Sequence, residues 1–147
     1  MSPLFGHKDE TGDEQPDANA LAGEVDRLEA LTLAELAVEV MNKGFGPGGP
    51  GADEAETVTT GGPNINAGAT VAQISAEFMP GGSSHGADAS VVLRLNRLVA
   101  EGLQSLEHAS LIRAQLHTAM GGLDFALTRL GRAALRNGSV ASALQKA

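Results

Sequence analysis

The stretch Leu111-Ile-Arg-Ala-Gln-Leu-His-Thr-Ala-Met-Gly-Gly-Leu-Asp-Phe-Ala-Leu-Thr-Arg-Leu-Gly-Arg132 decides how this chain folds. Ile112–His117 and Leu123–Leu127 alternate well enough to pair as two short strands. Gly121-Gly122 lies between them and supplies turn conformations that side chains forbid. Thr128 then caps a helix over Arg129–Arg136, which Asn137-Gly138 closes. Ahead of the hairpin, Val91, Leu95, Leu98, Val99, Leu103 and Leu106 recur at helical spacing. They predict a long amphipathic helix over Ser90–His108, capped by Asp88 or Ser90. Arg94, Arg97, Glu101, Gln104 and His108 line its polar face.

Working back towards the N-terminus, Val71, Ile74 and Phe78 predict a short helix from about Thr70 to Met79, ended by Pro80-Gly-Gly82. Thr32-Leu-Ala-Glu35 is a capping box, in which hydroxyl and carboxylate each serve the other residue's amide. The helix it starts, Leu33–Lys43, stops where Lys43 meets the negative helix end and Gly44 follows. Between these helices, residues 44–68 form a Gly/Pro-rich insertion, read as a flexible tether. Leu21, Val25 and Leu28 mark a first amphipathic helix. Its stripe either meets a second subunit in a homodimer or covers the chain's own core. Residues 1–18 are polar and charged, and predict a disordered acidic leader ahead of a folded domain at 19–138. Residues 139–147 are expected as a C-terminal tail or a weak helical extension.

The fold class predicted is mainly α with a small β-hairpin. With 147 residues, 19 Gly and 6 Pro, the chain has room for one domain and some irregular length. Its core rests on Leu, Val, Ile, Ala and Met, since only 3% of residues are aromatic. The absence of cysteine excludes disulfides, thiolate nucleophiles and cysteine-based metal sites. No apolar run suits a membrane span or a signal peptide, so a cytoplasmic protein without membrane partners is expected. The net charge of -8 is uneven. Residues 1–60 hold 13 acidic and 3 basic side chains, and residues 61–147 hold 5 and 7. An acidic leader repels phosphates at long range but leaves room for a short basic surface.

Leu103-Gln-Ser-Leu-Glu-His-Ala-Ser-Leu-Ile112, followed by Leu127-Thr-Arg-Leu-Gly-Arg132, resembles the winged helix-turn-helix superfamily. The resemblance is strongest to bacterial transcription factors of the multiple-antibiotic-resistance and phenolic-acid-regulator type. It covers about 103–136 by residue pattern and 33–102 by helix order, with Ser110 where those proteins usually carry glycine. It implies a DNA-binding transcriptional regulator whose third core helix, Ser90–His108, enters the major groove of double-stranded DNA. Ser83, Ser84, His85, Ser90, Arg94 and Arg97 become candidate contacts to bases or phosphates. Arg113 and His117 on the wing, with Arg129 at its exit, become candidate phosphate contacts.

Other chemistry finds no support. The four histidines lack zinc-site spacing, no glycine-rich segment continues into a phosphate loop, and no carboxylate pair is set up for acid–base work. A non-catalytic protein without cofactor or metal is expected. The second reading is a winged-helix adaptor for a partner protein or for dimerisation, with the acidic leader or the Gly/Pro-rich loop engaging the partner. A cationic stripe joining Arg94, Arg97, Arg113 and Arg129 favours DNA; an apolar surface interrupted by Asp88 and Glu101 favours the adaptor.

Overall fold

Helices follow one another until a hairpin interrupts them, as the pattern of apolar residues predicts. The computed structural model describes residues 19–52, 68–83, 86–117 and 122–147. The expectations for the leader at 1–18, for Ser84 and His85, and for most of the Gly/Pro-rich insertion lie outside these residues. Among the described residues the α-helices are α1 (19–29), α2 (Leu33–Phe45), α3 (Val71–Ala76), α4 (Ala89–His108), α5 (Arg129–Asn137) and α6 (Val140–Lys146). Strands β1 (Ile112–His117) and β2 (Gly122–Leu127) lie between α4 and α5.

The start of α2 follows its local chemistry. Thr32 Oγ1 accepts the Glu35 amide at 3.1 Å, and Glu35 Oε1 accepts the Thr32 amide at 2.9 Å. Its end does not stop at Lys43-Gly44. The helix runs on to Phe45 because Gly44 packs against Ile74 of α3, where a Cβ would lie 3.1 Å from the isoleucine side chain. Beyond it, Gly51 donates to the Gly44 carbonyl at 2.7 Å, so the first residues of the Gly/Pro-rich segment fold back on α2. Lys43 Nζ lies 5.9 Å from the Phe78 ring centre, joining α2 to the exit of α3.

Helix α3 is shorter than predicted. Thr70 and Gln73 form a second capping box, but the helix ends at Ala76. Met79 precedes Pro80, which disfavours helical backbone there, and it is extended at ψ 137°. A 3₁₀ turn at Pro80–Gly82 follows. Asp88 caps α4 by accepting the Ser90 amide at 3.0 Å. Helix α4 then packs along α2, and Gly102 lets the backbones close: a Cβ there would sit 2.7 Å from Val40.

After α4, Ser110 takes a left-handed φ of 64°, a conformation that favours glycine. The chain reverses into β1, which pairs antiparallel with β2 from Ile112 opposite Leu127 to His117 opposite Gly122. On its other edge, β2 makes an isolated antiparallel bridge through Phe125 to Ala69, with both amide bonds at 2.9 Å. Thr128 caps α5, and Gly138 closes it at φ 66°.

Two expectations require correction. Leu21, Val25 and Leu28 are fully buried in the chain's own core, so this stripe is not a surface offered to a second subunit. The second concerns residues 139–147, expected as a tail or a weak helical extension: they contain α6, a helix packed on the core. Val140 is buried, Ala143 and Leu144 pack on the core, and the helix lies against α2 and α5.

Candidate nucleic-acid interface

Helix α4 presents Ser90, Leu93, Arg97, Glu101 and Gln104 to solvent, because burial of Leu95, Leu98, Val99 and Gly102 turns the opposite side inward. Ser90 Oγ donates to Asp88 Oδ1 at 3.0 Å, so its hydroxyl is committed to the helix start. Arg97 is exposed and has no side-chain partner among the described residues. Leu93 lies on the same side, half exposed at 50%. It falls outside the 3–4 spacing of the buried leucines, the one sequence signal that separates it from them.

Arg94 behaves differently. Its guanidinium reaches across to α1, bonding Glu29 at 2.6 and 3.1 Å and Asp26 at 2.9 Å. The hydrogen bonds it donates to Glu29 and Asp26 hold its protonation well above the usual arginine range. Arg94, a candidate contact on the polar face, is thus ion-paired with α1 within the chain. Arg27 ties the same helix to α2 by pairing with Glu24 and Glu39.

Hydrogen bonding by Arg94 holds the Glu29 carboxyl below its ordinary range, and bonding by Arg27 does the same for Glu24. Depressed folded values contribute stability that is complete above the unfolded glutamate range, about 4.3. That contribution is lost as pH falls through the folded values. Thermal melting between neutral and acid pH should therefore show a shallower acid loss in Glu24→Gln/Glu29→Gln than in the parent chain. Parallel pH profiles would contradict these assignments.

The remaining predicted residues scatter. Ser83 is exposed just after the 3₁₀ turn, while Ser84 and His85 lie outside the described residues. Arg113 is exposed on β1 and Arg129 is exposed at the start of α5. His117 pairs through its backbone with Gly122, and its side chain lies outside the description. No family model, curated protein or solved structure matches this chain.

The cationic side chains gather after α4 rather than on it. From Ala109 to Ala147 there are five, Arg113, Arg129, Arg132, Arg136 and Lys146, and all are exposed. The single acid in that span, Asp124, is 4% exposed. These cations lie on β1, α5 and α6. The exposed pair Leu116 and Leu123, cross-strand neighbours towards the hairpin tip, also escaped the sequence reading as a surface feature. Among the described residues, no group of three His, Asp or Glu side chains is placed to hold a metal ion. No described helix is long and apolar enough to cross a membrane.

Proposed function

We propose that this chain is a winged helix-turn-helix module that binds double-stranded DNA as a non-catalytic transcriptional regulator. On this reading α2, α3 and α4 are the three core helices. Ala69 and the β1–β2 hairpin form the small sheet, in the order helix, strand, helix, helix, strand, strand. The outward side of α4 supplies the reading surface. Arg97 suits the acceptor edge of guanine, and Leu93 suits a thymine methyl group. Arg113 on the wing suits a backbone phosphate.

The observation that carries the reading is the charge separation after α4, where every cation is exposed and the sole acid is buried. Such a surface attracts phosphates despite the acidic total. A partner-protein adaptor is the second reading, favoured by Leu116 at 73% exposure beside Leu123. Apolar side chains clustered on a polar rim are what protein interfaces use.

The test is a salt titration of duplex binding, followed by fluorescence anisotropy, for the full chain and for a form lacking residues 1–18. Affinity should fall as salt rises; Arg113→Gln should reduce the log–log slope by about one, and Arg97→Gln should relax discrimination between duplex sequences. Removing the leader should strengthen binding at low salt. Absence of binding to mixed genomic fragments by either form rejects the regulator and leaves the adaptor.

A further inference from the structure

Helix α5 carries arginine at 129, 132 and 136, an i, i+3, i+7 series that places all three on one face. All three are exposed. Arg129 and Arg136 make no side-chain hydrogen bond or ion pair among the described residues. Arg132 keeps a hydrogen bond to the Leu127 carbonyl at 3.2 Å, which steadies it over the start of the helix. The opposite side of α5 is used up by packing, since Gly131 and Ala134 are buried. Leu130 faces the groove shared with α6 and not the arginine row.

The row continues the wing. Thr128, the cap of α5, bonds the Ser110 and Leu111 carbonyls at 2.6 and 3.0 Å, which fixes the helix start beside the first residues of β1. Arg113 stands two residues further along that strand, opposite Ala126. From Arg129 to Arg136 the rise is about 10 Å, enough to reach neighbouring phosphates of one strand.

Resting on the DNA-binding reading, we infer that the arginine face of α5 is a second contact surface for the nucleic-acid backbone, extending the footprint past the wing. Its ligand is a run of phosphates and not a protein. The row holds no apolar or aromatic side chain to anchor a protein interface, and its guanidinium forks match phosphate oxygens in pairs. Contacts of this kind add affinity and salt dependence without choosing a sequence.

The experiment compares the parent chain with Arg129→Gln and Arg129→Gln/Arg136→Gln in salt titrations on a duplex of about 30 base pairs. Thermal melting checks that each variant folds. The slope should drop by about one for the single variant and about two for the pair, and Arg129→Gln/Arg136→Lys should recover the slope of the single variant. Discrimination between different duplex sequences should not change. If the pair has the slope of Arg129→Gln alone, the second surface is refuted while the reading of α4 and the wing stands. A weakened self-association in the pair, with no change in slope, would assign the row to a second copy of the chain and equally refute it. If the parent chain binds no duplex at all, both readings fall.

Discussion

Gly131→Ala should destabilise the fold by about 3 kcal/mol or more, at the upper end of what overpacking costs. A Cβ on Gly131 would drive into the Leu111 carbonyl, oxygen first and carbon next. That carbonyl has little freedom to retreat. It accepts the Thr128 amide at 3.1 Å and the Thr128 hydroxyl at 3.0 Å, while the Leu111 amide donates to Leu106 at 3.0 Å. Relief therefore requires α5 to lift away from the hairpin. Thermal melting should show a drop of about 10 °C, given the usual scaling for domains near this size. Gly23→Ala is the natural control, because nothing lies within 4 Å of the added methyl. That change should raise stability slightly, by up to ~1 kcal/mol, through better helix propensity. A Gly131→Ala protein that melts with the parent would show that α5 is not seated as described.

Leu106→Ala should have an effect of similar size, about 3 kcal/mol in urea unfolding. Leu106 is fully buried in the core near the end of α4, and its carbonyl receives the amide that starts the turn into β1. Truncation leaves a cavity beneath the helix–hairpin corner that the stiff neighbouring backbone is poorly able to close. Because Leu106 and Gly131 serve one corner through Leu111, the two substitutions together should cost less than their separate effects added. A loss below about 1 kcal/mol for Leu106→Ala would mean the corner relaxes freely, against the bonding described.

The parts of this fold that were legible beforehand are those ruled by neighbours in sequence. The Thr32–Glu35 box and the α5 helix from Thr128 to its closing glycine rest on contacts a few residues apart. Alternation on either side of the turn marked both strands, although Gly122, expected in the turn, begins β2 opposite His117. Features set by distant partners were hidden. Gly44 reads as a helix stop until Ile74, thirty residues away, packs on it and keeps the turn helical. The final residues read as no more than a tail or a weak helical extension because α2, which gives α6 its apolar seat, lies about a hundred residues earlier. Arg94 reads as a free cation because its partners Asp26 and Glu29 belong to another helix. Of the candidate contacts, Arg97, Arg113 and Arg129 are exposed, as their local patterns lead one to expect. The arginine row was visible as spacing alone, and its meaning depended on seeing which side of α5 is covered.

The separation of charge along the fold has a consequence for approach as well as for contact. Helices α1 and α2 carry five acidic and two basic side chains, while the span from Ala109 onward carries one acidic and five basic. A molecule so arranged has a permanent electric dipole, and the field of a polyanion exerts a torque on it before the surfaces touch. On the proposed DNA-binding reading, that torque favours approaches that turn the cationic span towards the duplex, so orientation is chosen during diffusion. At ionic strengths where the screening length shrinks below about 10 Å this alignment fades, and encounters become unselective.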